Sequence, residues 1–227
     1  PESLSLLLTR ENARELFDSC LNSIFSNPGP DWEIKPLKEL IAEMITGPFG
    51  SNLHKSDYVT DGIPVVNPQN IVNGEIVPSA RTLVNQETRR RLSKYILKEN
   101  DIILARRGEM GRCGIVSANQ AGWLCGSGSF LLRVNGKLDP KYARIFLSSR
   151  IAKTYLLKGS VGATMDNLNQ AILASLPVPV PPKVEQAKIL GSVGETRGYL
   201  SELELHGQLR LGYLNVLKQS VLKGVFG

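Results

Sequence analysis

Cysteine is scarce here, with three in 227 residues. Cys20, Cys113 and Cys125 show no C-x-x-C spacing, which excludes a disulfide framework and leaves reduced thiols as the expectation. Histidine is scarcer still, limited to His54 and His206. With so few nitrogen and sulfur ligands, and no visible cluster of carboxylates to replace them, no metal site is expected. Long apolar runs are also missing. Stretches such as Ile102 to Ala105 break after a few residues, far short of the roughly 18 that a spanning helix needs, so no membrane partner is expected. The leading PESLSLLL has neither a basic flank nor a cleavage signature, and a cytoplasmic location is expected by default.

Catalytic signatures are equally thin. The glycines form no G-x-G-x-x-G or Walker pattern, and neither serine nor cysteine sits in a nucleophile elbow. PDWEIK at 30–35 carries the letters of a metal-dependent nuclease, yet Asp31 and Glu33 have no third group placed to join them. NPQN at 67–70 lacks the second proline and the aromatic of an amino-methyltransferase motif and reads as a turn. Catalytic residues are therefore expected to number none, and no cofactor is expected to be bound by the chain itself.

What is present is a folding composition: 42% hydrophobic, 21% charged and a mean hydropathy of -0.08. The net charge is +6 and the isoelectric point about 9.3. The surplus belongs to the middle of the chain, because the segments before residue 31 and after residue 181 offset one another. Arg81 to Arg112 holds nine basic and four acidic residues, and Arg133 to Lys158 holds seven basic residues against Asp139 alone. Two positive stretches suit a polyanion, since each phosphate neutralised releases a condensed counterion; a merely solvated basic face is the alternative.

Hydropathy patterning divides the chain into three. Within residues 1–30, Ala13, Leu16, Phe17, Cys20, Leu21, Ile24 and Phe25 recur at helical spacing, and SNPGPD ends that helix. Residues 31–181 mix short strand-like runs (63–66, 102–104, 114–116 and 130–134) with Gly- and Asn-rich turns and one helical stretch over 139–157. They end in LPVPVPP, read as an extended hinge or strut. Residues 182–227 read as one long helix or two stacked ones, with Ile189, Val193, Leu200, Leu203, Leu214, Leu217 and Val221 in a heptad-like seam. The fold class is α+β: a mixed α/β domain followed by a long, coiled-coil-like helical region. The first helix is too short to cover the long one, which leaves part of the seam for a second chain.

Four phrases are specific in combination: FDSCLNSIFSNPGPDWEIKPLKEL (17–40), TGPFGSNLHKSDYVTDGIPVVNPQNIVNGEI (46–76), LKENDIILARRGEMGRCGIV (97–116) and GATMDNLNQAILASLPVPVPPKVEQAKI (162–189). With them the chain resembles the specificity subunit of type I restriction-modification systems. The resemblance implies a target recognition domain at 31–181 and a helical conserved region after it, serving as spacer and docking surface. It implies double-stranded DNA as ligand, with methyltransferase and restriction subunits as partners that use S-adenosylmethionine, ATP and Mg²⁺ to methylate adenine and cleave DNA. The family's usual subunit holds two recognition domains, whereas this chain resembles half of one, either a natural half-length protein or a piece of a longer one. An antiparallel homodimer through the helical seam would restore two-fold symmetry, with half-sites no more than roughly 18 base pairs apart.

Within that frame, Arg89, Arg90, Arg91, Lys94, Lys153 and Lys158 are candidate phosphate contacts. Arg106, Arg107 and Arg112, in a glycine-rich loop, are candidate guanine readers, and Ser51, Asn52, His54 and Lys55 are candidate groove readers. Phe49, Tyr58 and Trp123 are expected in the core, and Asp166 and Asn167 either approach DNA or cap the helix that follows. Two other readings compete: a stand-alone DNA methyltransferase or nuclease, and an interaction protein that uses the helices to block the assembly.

Overall fold

Apolar residues at three- and four-residue steps make the first helix, α1 (Leu4–Ser26), and bury Ala13, Leu21 and Phe25 along one side. The computed structural model describes residues 4–49, 52–109, 111–160 and 168–226. After α1 come β1 (Glu33–Pro36), β2 (Ile41–Thr46), β3 (Tyr58–Val59), β4 (Ile63–Val66), β5 (Ile71–Val72), β6 (Glu75–Ile76), β7 (Leu83–Val84) and helix α2 (Gln86–Arg91). The chain continues through β8 (Ile102–Ala105), β9 (Cys113–Ile115), β10 (Leu124–Cys125), β11 (Ser129–Val134), α3 (Pro140–Ser148), α4 (Arg150–Ser160), α5 (Gln170–Ala174), β12 (Pro177–Val180) and α6 (Lys183–Phe226). Helices and sheets share one chain, as an α+β reading requires, with a long helix at its end.

The central sheet is antiparallel, in the order β2-β11-β8-β9. Its inner strands, β8 and β11, are buried on both faces over Ile102–Ala105 and Ser129–Leu132 because both faces are covered. The two-residue period sends Ile102, Leu104, Phe130 and Leu132 towards α1, α3 and α4, and Ile103 and Leu131 towards Val66, Ile71, Leu97 and Val116. A second sheet, in the order β10-β4-β7-β3, carries a smaller cluster of Val65, Val84, Leu92 and Leu124. Phe25 packs edge-on against Tyr142 at 5.8 Å and Phe146 at 5.2 Å, so α1 belongs to the main core.

Three expectations change. The helical stretch at 139–157 is two helices, broken at Ser149, whose extended ψ of 157° ends α3; its Oγ accepts from Ala152 N and caps α4. LPVPVPP is not a free strut: β12 pairs antiparallel with β1. Pro/Val alternation allows this, because Val178 and Val180 supply the N–H groups that proline lacks, while Pro179 O accepts the Tyr142 hydroxyl at 2.9 Å. The third change concerns the seam of α6. The helix is continuous over 44 residues, about 66 Å. Phe17 of α1 lies against Arg197, and Glu185 lies beside Gly29, so α1 and α6 run antiparallel. This packing takes up Val193 and Leu200, 7% and 9% exposed, and partly buries Ile189, so these three are spent within the chain and not on a second one.

Leu203, by contrast, is 58% exposed. At 100° per residue it falls roughly a quarter-turn away from Val193 and Leu200, on the same side as Tyr199 and positions 214, 217 and 221. For Leu214, Leu217 and Val221 the helical backbone is described and the side chains lie outside the described residues. The start of α6 is tied down by Gln186, which is buried: its Oε1 accepts from Asp139 N at 2.8 Å and its Nε2 donates to Pro181 O at 2.9 Å.

Candidate nucleic-acid interface

The loop between β8 and β9 holds the densest run of expected contacts, and its residues part company in the structure. Arg106 is buried, with its guanidinium between the rings of Phe49 at 5.0 Å and Phe130 at 5.1 Å. Its Nε donates to Leu168 O, and its own carbonyl accepts from Leu168 N. Burial, with the neighbouring Arg107 charge as a lesser cause, lowers its pKa. Arg106 thus joins the 46–49 segment, the core sheet and Leu168 ahead of α5, and is not the free groove reader the sequence suggested. Phe49, half exposed, is its stacking partner and no core residue.

Arg107, Gly108 and Glu109 form the exposed tip of this loop. Gly108 and Gly111 hold φ of 75° and 78°, a left-handed backbone that lets the chain turn back into β9. Arg112 pairs with Glu109 at 2.6 Å and reaches Pro68 O at 3.5 Å. Behind it the loop packs on Lys153 so closely that a Cβ at Gly111 would meet Lys153 Cγ at 2.4 Å.

A second group assembles around α2, which is capped by Asn85, whose side chain accepts from Thr88 N. Arg91 donates to Asn52 O and to Asp57 Oδ1, both at 2.6 Å, drawing the 52–57 loop onto the helix end. His54 and Asp57 close that loop: His54 N donates to the Asp57 carboxylate at 2.7 Å, and that bond, with Arg91 adding to it, holds the Asp57 pKa below its usual value. Arg89 is tied to Gly122 O at 2.9 Å. Lys55, Arg90 and Lys94 are exposed, and Lys94 shares a shallow hollow with Lys98, Arg133 and Glu43. Asn52, His54, Arg89, Arg90 and Arg91 are therefore neighbours, while Lys158, exposed at the end of α4, belongs to neither group. Ser51, Asp166 and Asn167 lie outside the described residues. Asn169 is the side chain that caps α5, accepting from Ile172 N.

Two arginines escaped the sequence reading. Arg144 of α3 and Arg197 of α6 line a cleft of about 610 Å³ together with Arg112 and Lys153. The high charge density of 133–158 was the only sequence signal, and it does not single out Arg144. NPQN is the turn its sequence suggests, a single 3-10 turn in which Asn67 and Asn70 cap each other. Among the described residues no group of carboxylates, histidines and cysteines is arranged to hold a metal. Asp31 is exposed, and Glu33 pairs with Lys35.

The fold and its cationic loops define a class: a mixed α/β domain packed against a pair of antiparallel helices, presenting arginine and lysine on loops around a sheet covered on both faces. Residues 30–192 match the type I restriction modification DNA specificity domain, and the chain belongs to that family. It is 25% identical over 203 residues to the EcoBI type I restriction enzyme specificity subunit of Escherichia coli, covering 86% of this chain and 41% of that protein. It is 27% identical over 208 residues to the MjaX specificity subunit of Methanocaldococcus jannaschii, covering 86% and 47%. The chain therefore spans less than half the length of these two relatives. The fold is that of the HsdS subunit from Thermoanaerobacter tengcongensis, with a TM-score of 0.67 at 20% identity over 97% of this chain and 52% of that one. A structure from a study of assembly and conformational transition in the type I R-M system aligns with a TM-score of 0.73 at 18% identity, over 96% and 52%.

Proposed function

We propose that this chain is a non-catalytic DNA-recognition component of a type I restriction-modification system. It reads one part of a target site and presents an adenine to separate methyltransferase subunits, with restriction subunits cleaving where methylation is absent. S-adenosylmethionine, ATP and Mg²⁺ are used by those partners. The observation that carries the reading is the family match over 30–192; the 106–112 loop with its arginines, and the 52–57 loop with Lys55 and the Arg91 packed on it, lie in that same region and support it. Loop tips such as Arg107 suit base edges, while Lys94 and Arg90 suit phosphates, which fix register without reading sequence.

The helical part acts as spacer. Its exposed side, with Tyr199 and Leu203, is offered to an antiparallel second copy or to a partner subunit, which would place two recognition regions at opposite ends of a helical shaft. Assembly of this kind in the cytoplasm is the expected setting.

Methylation-site mapping in cells expressing the chain with its methyltransferase partner tests this directly, reporting target, spacing and symmetry. In that assembly Arg107→Ala should cost about 1 to 3 kcal/mol at one base position, whereas Lys94→Ala should weaken all sequences alike. Equal losses on specific and random duplexes for both variants would remove the base-reading role of the loop. Purified chain that methylates or cuts DNA unaided would replace this function with an enzymatic one.

A further inference from the structure

Arg144 and Arg197 come together across the junction between the recognition region and helix α6, and no ion pair to either is formed among the described residues. Arg144, on α3, is half-buried. Burial lowers its pKa, with the like charge of Arg197 adding to the effect and Cys113 and Glu75 opposing it. Arg197 is fixed from two sides: its Nη2 donates to Asn73 O at 2.9 Å, and its guanidinium lies 5.8 Å from the Phe17 ring centre. The β5–β6 turn closes over the pair through two left-handed residues, Asn73 at φ 53° and Gly74 at φ 83°. At that φ a side chain on residue 74 would be strained, and its Cβ would sit 2.5 Å from Arg144 Nη1, so glycine suits the turn there. Lys153 and Arg112 also line the cleft, and Arg112 is already paired with Glu109. Among the described residues, Asp18 is the other carboxylate lining the cleft and forms no ion pair with these cations. Among the described residues, three cations thus share a cleft of about 610 Å³ with one unpaired carboxylate. Like charges gathered in a partly desolvated space are unfavourable until an anion joins them.

We propose that this cleft seats a phosphodiester group of the DNA backbone, gripped by Arg144, Lys153 and Arg197. The inference rests on the DNA-binding reading and adds to it a site that joins two parts of the chain. Arg197 stands on the spacer helix and Arg144 on the recognition region, so a phosphate held by both fixes the duplex relative to the shaft as well as to the reading loops. Arg112, at one end of the 106–112 loop, makes the cleft continuous with the exposed tip that carries Arg107. The contact carries no base information, because every nucleotide presents the same phosphate.

The test uses the full chain, a fluorescent duplex bearing the mapped site and a scrambled duplex, titrated at a series of KCl concentrations beginning near 20 mM. Arg197→Gln and Arg144→Gln should each weaken both duplexes by the same factor, about tenfold. Each should also reduce the slope of log affinity against log salt by about 0.9. Because Arg197 is exposed on its helix, Arg197→Gln should keep its thermal midpoint, and it carries the test if Arg144→Gln folds poorly. Unchanged affinity and slope in Arg197→Gln, with the wild-type chain binding well, overturn the cleft and leave the DNA-binding function standing. Loss on the specific duplex alone assigns base reading and overturns the phosphate assignment. Inorganic phosphate that raises the wild-type thermal midpoint as strongly as duplex at equal phosphate concentration makes this a small-anion site and overturns the duplex. A wild-type chain that binds no duplex even at 20 mM KCl removes the DNA-binding function and the cleft together.

Discussion

Arg133 grips Asp101 with two hydrogen bonds, Nε to Oδ1 and Nη2 to Oδ2, both at 2.7 Å, across the antiparallel strands that carry the core. The Asp101 side chain is 1% exposed, Arg133 is 21% exposed, and Arg133 also pairs with Glu43 on the other flanking strand. Asp101 accepts Lys98 N as well, at 2.8 Å. Removing the guanidinium would leave a buried carboxylate short of partners. Arg133→Met is expected to lower unfolding free energy by about 3 kcal/mol or more in denaturant titration. Arg133→Lys keeps the charge but loses the two-pronged geometry and should fall between.

Arg106 invites a different substitution. Its planar group lies between two rings, so lysine restores charge without restoring the stack. Arg106→Lys and Arg106→Met should both lower the unfolding free energy in denaturant titration, by about 1 to 2 kcal/mol, with lysine recovering little of the loss. A fully wild-type midpoint for Arg106→Lys would show that charge alone matters at this position.

The three cysteines should separate cleanly. Cys20 is exposed on α1, whereas Cys113 and Cys125 are fully buried and burial pushes both thiols up to about 12. Thiolate is the reactive species, so iodoacetamide at neutral pH should modify Cys20 alone. Labelling of the other two should appear only at the rate of unfolding, read by mass spectrometry of peptide digests.

Leu200 and Leu203 are three residues apart and should behave in opposite ways. Leu200→Asp places a charge in the α1–α6 contact and should destabilise the chain by about 3 kcal/mol. Leu203→Asp alters an exposed position and should change stability by less than about 0.5 kcal/mol. Light scattering on Leu203→Asp then reads self-association without interference from unfolding: a shift to monomer supports the antiparallel pairing, and an unchanged dimer places that contact elsewhere.

Acid should act on the 52–57 loop only below the ordinary carboxylate range. The Asp57 pKa is held below 3.8 in the folded chain. Its contribution is complete above the ordinary carboxylate range and disappears as pH falls through the lowered folded value. Asp57→Asn should therefore be less stable than wild type near pH 7, and the difference should shrink as the solution approaches pH 3. A difference that grows on acidification would contradict the sign of this shift.

Periodicity by itself specified a good deal of the molecule. The 3.6-residue spacing of Ala13, Leu21 and Phe25 marks α1, and the apolar runs at 63–66 and 102–104 mark β4 and β8. These signals are local, so the chain expresses them without reference to its fold. The seam of α6 was legible as a helix but not as an interface. A heptad pattern gives the side of a helix and is silent on what covers it, and α1 covers Val193 and Leu200 while leaving Leu203 bare.

The candidate interface divided along the same line. Sequence named Arg106, Arg107 and Arg112 as equivalents, because three arginines in one glycine-rich loop carry the same chemistry. Their environments differ through Phe49, Phe130 and Glu109, of which two lie far away in the chain. Arg144 and Arg197 meet only because α3 packs on the sheet and α6 returns along α1, a closeness across 53 positions that no local pattern encodes. Sequence determined the kinds of element and the sign of the charge, since both depend on neighbours within a few residues. Tertiary structure decided which cations are buried, paired or left facing a cleft, because electrostatic environment is set by whatever the fold brings within a few ångströms.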